Sequence, residues 1–468
     1  MAIQPVPIAL GTLPGGTDSR ALGENEEGQV VGWSYTILEN HSAVHAFSWT
    51  EGGGMVDLNS LVSLGGNDSA ASELSDNDQI AGYSFTQSGL PHAYSWTRAG
   101  GLVDLGTLPG GSESRATRVN NRGQIVGWAD TTNVQPGADS GIRHAFSWTP
   151  TGGMVDLGTF GGSASTAAAV SDGGQVVGYS DLASGAWHAF LWTQAAGMRD
   201  LGTLGGSTST AHAINDDGQI VGQSTTAQNG PTHAFSWTLS GGMVDLGTIG
   251  GAISVARGVS NNGEVVGYSD SADGAVHAFS WTQAGGMVEL APLPGDSSSY
   301  AEAVNDSGQI VGWSVDAGGH EHATLWRLPA MRISTLRLAP ASFRAERHGS
   351  STYLTVTRSA KVTFRLSAPA LVTFTVERVL SGRLRGKDCV RDSRHLRRLR
   401  PCARQILRGS FRQTGHTGPN AFSLSAARLS AARFGPGDYV LSATAPAPNG
   451  TLSGPIRFRF TVKPPRLG

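Results

Sequence analysis

Several things are scarce in this chain, and each scarcity narrows the reading. Residues 1–330 contain no lysine, and charged residues make up only 15% of the whole. No run of about 18 apolar residues occurs, so no membrane-spanning helix is expected. No stretch of residues 1–330 shows a long 3.6-residue apolar period, which argues against helices there. Met1–Leu10 has neither a basic n-region nor an apolar h-region, so no secretion signal is visible in the sequence. Glycine is plentiful instead, with 65 copies, and a turn-rich β surface of Ser, Thr, Asn and Gly accounts for it.

A His-Ala-(aromatic)-x-Trp cassette recurs, beginning at His45, His92, His144, His188, His233, His277 and His322 with spacings of 47, 52, 44, 45, 44 and 45 residues. A fixed period in this range marks a repeat architecture. Three more segments share the period. One reads GQVVGWS (Gly28–Ser34), one MVDLGTL (Met154–Phe160 in its third copy), and one is a small-residue run that ends in a polar turn, such as Ser299–Asn305. All are short, hold β-branched or aromatic residues, and are bounded by Gly, Asn, Asp and Ser, which predicts strands. Each repeat therefore reads as a four-stranded antiparallel meander: A (the small-residue run), B (GQVVGWS), C (HAFSWT) and D (MVDLGTL). Four strands per period and seven copies predict an all-β chain with a seven-bladed β-propeller. Strand phase predicts a closed ring. The seventh copy lacks a D strand, and Pro7–Leu13, with Ile8–Leu13 as its strand, precedes the first A strand to supply it.

The cassettes, linked in register to the GQVVG and DLGTLGG runs over residues 7–327, resemble the HAF family of probable extracellular bacterial repeats. The copies depart at Tyr94, Thr324 and Gln223. The resemblance implies an extracellular setting and no particular reaction.

Composition changes near Leu328-Pro329-Ala330, which predicts domains 1–330 and 331–468. Residues 1–330 hold 9 Arg and 31 Asp+Glu, net −22, whereas residues 331–468 hold 25 Lys+Arg and 5 Asp+Glu, net +20. This split points to an anionic envelope polymer or another polyanion as partner of the basic part, or to docking between the two domains. The second domain reads as a β-sandwich. Ser351–Val356, Lys361–Leu366 and Ala370–Val376 are its early strands; Gly437–Thr444 and Ile456–Val462, joined by a turn at Pro448-Asn449-Gly450, form a closing hairpin. It resembles bacterial immunoglobulin-like modules and lacks the Cys-Trp-Cys core of antibody domains. Cys389 and Cys402, the two cysteines of the chain, bracket Arg391, Arg394, Arg397, Arg398 and Arg400. With the extracellular setting implied by the repeats, they are expected to staple an Arg-rich loop that binds a polyanion.

Repetition also sorts the candidate site residues. Each cassette histidine is expected to be half-buried, bonded to a neighbouring strand or serine; one per blade cannot converge on a metal, so no metal site is expected. Cassette Trp and the aromatic two positions earlier share a strand face and should pack between blades. A second aromatic set ends strand B: Trp33, Tyr83, Trp128, Tyr179, Tyr268 and Trp313. Packing between blades is the preferred reading; the functional one is a ring for stacking a carbohydrate or protein ligand at the B–C loop face. The longest B–C connection is Ala129–Arg143. Asp76, Asp78, Asp216, Asp217 and Asp306 read as turn formers, since none fits a calcium loop. Gly-rich D–A loops precede strands and not helices, so they are not phosphate loops. Asp130, Asp139, Asp181 and Asp270 are the only candidate acid/base carboxylates and read as solvated loop acids. No Ser-His-Asp or Cys-His set stands out, and no catalytic residue or cofactor is expected.

The expectation is a secreted or cell-surface, monomeric, non-enzymatic binding or adhesion protein with the propeller as platform. The alternative is a polysaccharide hydrolase or lyase using loop carboxylates.

Overall fold

The structure, a computed structural model, describes residues 5–38, 41–131 and 142–327, and then 333–344, 346–348, 351–353, 360–366, 370–385, 388–392, 395, 398–416, 418–424, 436–445 and 455–463. It divides into two compact units, Gln4–Leu328 and Pro329–Gly468 together with Met1–Ile3.

Among the described residues of the first unit there are seven four-stranded antiparallel sheets, giving an all-β, propeller-like architecture. In sheet 1 the strands A to D are Ser19–Glu24, Val30–Leu38, His41–Thr50 and Gly54–Asp57. Sheet 7 is Asp296–Val304, Ile310–Asp316 and Glu321–Arg327, completed by Val6–Ala9, which pairs antiparallel with Glu321–Arg327 at Ile8↔Leu325. The closing strand is thus shorter than Ile8–Leu13. The Leu13 N–H instead donates to Ser34 Oγ in sheet 1 at 3.0 Å, which draws the chain out of sheet 7. The D strands are short for a similar reason. In sheets 1 to 5 they end at the aspartate, as in Gly101–Asp104, and the next leucine N–H turns back to strand C, as Leu105 does to the Ala93 carbonyl at 2.9 Å.

Apolar packing joins each sheet to the next. Phe47, Phe146, Phe190, Phe235 and Phe279 of strand C are fully buried. Phe146 of sheet 3 packs with Ala81, Ala93 and Leu105 of sheet 2, and Phe47 of sheet 1 with Val311, Ala323 and Leu325 of sheet 7. Each such phenyl contributes roughly 1.5–3 kcal/mol by burial. Glycine in the middle of strand B makes room for them. A Cβ at Gly178 would stand 1.9 Å from the Thr166 carbonyl oxygen and 3.0 Å from the Phe190 ring. Buried serines at the start of strand A staple the sheets: Ser69 Oγ accepts the Ala46 N–H of the preceding sheet at 3.1 Å, and Ser19 Oγ accepts the Ala323 N–H at 3.0 Å. The second of these bonds joins sheet 7 to sheet 1.

Every strand A carries a one-residue bulge where it pairs with strand B, at Leu22, Ser72, Thr117, Ala168, His212, Arg257 and Glu302. A bulge breaks the in–out alternation and re-aims side chains.

In the second unit, Ile333–Ala339, Ala360–Leu366 and Gly418–Leu424 form a three-stranded sheet. A larger sheet holds Ser342–Arg344, Ile456–Lys463, Gly437–Thr444, Ala370–Arg385, Asp388–Arg391 and Pro401–Gly415. One core of Leu338, Val362, Phe364, Phe374, Phe422, Leu441 and Phe460 lies between them. The expected closing hairpin is present as Gly437–Thr444 against Ile456–Lys463. Its turn at 448–450 and residues 354–356 of the expected first strand lie outside the described residues. Ala370–Arg385 runs for 16 residues, well past the expected end at Val376, and pairs along its length with Pro401–Gly415. Cys389 and Cys402 form a disulfide, Cα–Cα 6.0 Å. Both sit on strands paired to the end of Ala370–Arg385, so the disulfide joins two strands at the far end of a long antiparallel pair.

Candidate functional site

The cassette histidines are structural, with a partner other than serine. Each Nδ1 meets a carboxylate at the end of strand D twelve residues on: Asp57 at 2.8 Å from His45, Asp104 at 3.0 Å from His92, Asp156 from His144, Asp200 from His188 and Asp245 from His233, each at 2.8 Å, and Glu289 at 2.5 Å from His277. His322, with no D strand downstream, uses Asp296 at 3.1 Å. The same carboxylates also anchor the turn, as Asp104 Oδ1 does by accepting the Gly106 N–H at 2.8 Å. The acid in MVDLG, Glu289 in copy six, was the signal for this pairing. Among the described residues no group of three or more His, Cys, Asp or Glu could hold a metal.

The strand-B aromatics are all half-buried. Strand A fills the spaces between them. The Arg20 guanidinium lies 4.5 Å from the Trp313 ring and 5.4 Å from that of Trp33, and it is ion-paired with Glu321. Arg115 lies 4.4 Å from Tyr83 and 5.6 Å from Trp128, whose ring Arg143 also approaches at 4.3 Å. Tyr300 stacks on Trp313 and meets Tyr268 edge-on, both at 5.1 Å. Tyr179 stands apart, its hydroxyl 3.4 Å from Thr166 Oγ1. Cation–π and aromatic pairs of this kind knit adjacent sheets.

Asp130, Asp181 and Asp270 lie on strands and not in loops. Asp130 is 1% exposed at the end of its strand B, with no hydrogen-bond partner for either oxygen and Arg143 Nε at 3.9 Å. Burial and the neighbouring Glu113 hold its carboxyl above the usual range. Asp181 and Asp270 are half-buried in the B strands Val176–Leu182 and Val265–Ser271. These three stand one to a sheet and do not pair. Asp139 lies outside the described residues, as does most of the Ala129–Arg143 connection.

What the B–C end does present is apolar. Trp187, just before the fourth cassette, is 42% exposed, and Ile142 and Ile253 are exposed on the same end. Strands B and C of sheet 1 reach beyond those of other sheets, carrying exposed Tyr35 and Ile37. In the second unit Arg391, Arg398 and Arg400 are exposed; Arg394 and Arg397 lie outside the described residues.

The opposite end is built from the A–B turns, and there the structure shows a constellation that repeat averaging concealed. Seven side chains each accept the main-chain N–H of the preceding turn: Asp76 from Glu26 at 2.9 Å, Asn121 from Asp76 at 2.8 Å, Asp172 from Asn121 at 2.9 Å, Asp216 from Asp172 at 2.8 Å, Asn261 from Asp216 at 2.9 Å, Asp306 from Asn261 at 2.7 Å, and Glu26 from Asp306 at 2.7 Å. The relay returns to its starting point and surrounds a cavity lined by the ends of all seven A strands. Asp76, Asp216 and Asp306 are thus more than turn formers.

Beneath the relay the sheets differ from one another. Arg257 makes a two-pronged pair with Glu302 at 3.0 and 2.6 Å and lies 3.3 Å from His212 Nδ1. Arg118 pairs with Glu73 at 3.0 Å. Glu24 occupies the place held elsewhere by Leu74, Val119, Val170, Ile214, Val259 and Val304, and neither of its oxygens accepts a well-formed hydrogen bond. Burial pushes Glu73 up to about 7 despite Arg118. Burial, with Glu73 and Glu26 nearby, holds Glu24 well above the carboxylate range. Burial beside Arg257 and Arg118 holds His212 well below its ordinary value.

No family model and no curated protein matches the chain. Solved structures resemble it. One is PorZ, a bacterial surface component of the type-IX secretion system of Porphyromonas gingivalis, at 11% identity and TM-score 0.45, with 98% of this chain and 61% of that one covered. The chain therefore spans about three fifths of that protein. A second is the β-propeller domain of the Trilobed protease from Pyrococcus furiosus, at 9% identity and TM-score 0.42, covering 66% of this chain and 95% of that one. A third is a gluconolactonase from Xanthomonas campestris, at 10% identity and TM-score 0.35, covering 69% and 89%.

Proposed function

We propose that this chain is an extracellular, non-enzymatic binding protein: a seven-bladed β-propeller of HAF-type repeats followed by an immunoglobulin-like module. The observation that carries the binding reading is the exposed apolar set at the B–C end: Trp187, Tyr35, Ile37, Ile142 and Ile253. Exposed aromatic anchors on a rigid scaffold mark interaction sites. Asp130, Asp181 and Asp270, one each on sheets 3, 4 and 6, support binding over hydrolysis, which needs two carboxylates flanking one bond. The ring reading is supported by the Ser19–Ala323 staple, the sheet 7 strand Val6–Ala9 and the closed A–B relay. The Cys389–Cys402 disulfide supports an oxidising setting. Exposed Arg391, Arg398 and Arg400 support an anionic envelope polymer as the second unit's partner.

The test is a glycan and protein array read beside a turnover assay. Trp187→Ala should lower capture of the array ligand without altering thermal unfolding. Release of reducing sugar that disappears in Asp130→Asn would refute the non-enzymatic reading.

A further inference from the structure

We propose that the cavity ringed by the A–B turns is a binding site for an organic cation bearing primary ammonium groups, held between Glu24, Glu26, Glu73 and Asp76. This site lies at the other end of the sheets from the B–C face and does not depend on it.

The cavity there has a volume of about 190 Å³ and is lined by seven carboxylates, with no lysine or arginine among its lining residues. Their distribution is uneven. Asn121 Nδ2 donates to both Asp76 and Asp172, and Asn261 Nδ2 to both Asp216 and Asp306. Asp76 and Asp306 each take one of these bonds, but among the described residues no asparagine side chain donates to Glu24, Glu26 or Glu73, which gather between them in the sector of sheets 7, 1 and 2. Arg118 pairs with Glu73, but no cation pairs with Glu24, Glu26 or Asp76 among the described residues. Burial, with the charges of Asp306 and Asp76 nearby, holds Glu26 above the usual carboxyl range as well.

Glu24 turns an acidic cluster into a site. Glu24 lines the cavity; its two oxygens are shut off from solvent and accept no well-formed hydrogen bond, because the one N–H near them, that of Asn305, is bonded to the Gln309 carbonyl. Six sheets out of seven place an aliphatic residue at this position, so the fold does not need a carboxyl there. A buried acceptor left without a donor is costly. Residues kept at a cost to stability are characteristic of functional sites. A ligand that brings N–H donors and positive charge removes the cost.

The chemistry of that ligand follows from the geometry. No three acids stand close enough to chelate a metal ion. A guanidinium presents a planar fork suited to one carboxylate. The carboxylates here come from different strands and do not converge on one point, which suits separate ammonium groups on one flexible chain, each donating to the acid nearest it. A free diamine and the lysine side chains of a peptide share this chemistry.

Isothermal titration of the full chain with putrescine, spermidine and Nα-acetyl-lysine methylamide tests the proposal, and the last compound separates a peptide source from a free amine. The expected result is saturable binding of at least one of them, weakened by salt and reduced roughly tenfold or more in Glu24→Val. Valine is the residue at Val119, Val170, Val259 and Val304, so folding is retained; unchanged circular dichroism verifies it. No binding of any amine would overturn the proposal. So would equal affinity in Glu24→Val, or calcium binding that Glu24→Val abolishes while the amines do not bind.

Discussion

Glu24→Val should make the first unit more stable, and by an amount that depends on pH. At the parent position two buried carboxyl oxygens lack well-formed hydrogen bonds, which costs about 1–3 kcal/mol even when the group is protonated. Valine adds apolar contact with Val304 and Leu74 on the flanking sheets, worth about 1 kcal/mol. The gain below the ordinary carboxyl range should therefore be about 2–4 kcal/mol. Raising the pH enlarges it. Glu24 titrates well above 4.5 when folded, because burial and the charges of Glu73 and Glu26 disfavour its anion. Above pH 4.5 the unfolded chain loses this proton while the folded protein retains it, so the parent loses stability as pH climbs from 4.5 towards the folded value. The valine variant has no such slope from this position. Guanidinium unfolding of parent and variant at a series of pH values measures the difference directly, and the two curves should diverge upward from acid to neutral. A variant less stable than the parent, or a gain that is flat with pH, would refute the placement of Glu24 as an uncompensated buried acid.

Three other outcomes follow from the fold. Phe146→Ala empties a fully buried site between sheets 2 and 3 and should cost about 3–5 kcal/mol by thermal or chemical unfolding. Asp104→Asn should bring the His92 pKa, raised by its hydrogen bond to Asp104, back towards 6.5, followed by imidazole NMR. The stability that this pair contributes is full below 6.5 and is lost as pH rises through the folded His92 value, so the variant should lose most at acid pH. Cys389→Ser should cost the second unit roughly 3 kcal/mol for a loop of this length, and adding reductant to the parent should reproduce the loss.

The repeated parts of the fold were legible because seven copies vote on each position. The cassette, the glycine in strand B and the missing seventh D strand could be read as strand phase without any coordinates. The His–carboxylate pairs were within reach too, since an acid stands twelve residues after six of the seven cassette histidines. Averaging over copies is also what hid the cavity at the A–B end. Glu24, His212, Arg257 and Glu302 are departures at single positions, and a reading that assigns repeated residues to scaffold passes over the odd ones. Alternation alone could not have aimed them either: the bulge falls on His212, Arg257 and Glu302 and changes which neighbours they reach. The strand-B aromatics stand where the strand phase places them, and packing between sheets is the preferred reading. Their covering residues were harder to name: Arg20, Arg115 and Tyr300 belong to strand A, 13 residues before in sequence and paired opposite, as Arg20 is to Trp33, whereas Arg143 reaches Trp128 from strand C.

The A–B relay has one further consequence. All seven of its bonds point the same way, with each turn's amide donating to the turn that follows, so the loop has a sense of circulation like a buckled hoop. Asn121 and Asn261 keep their links through a carbonyl oxygen, which shows that the hoop is indifferent to charge as long as an acceptor is offered. The acids of the A–B end are therefore free to differ from turn to turn without loosening it. Its electrostatics can be retuned while its diameter stays fixed.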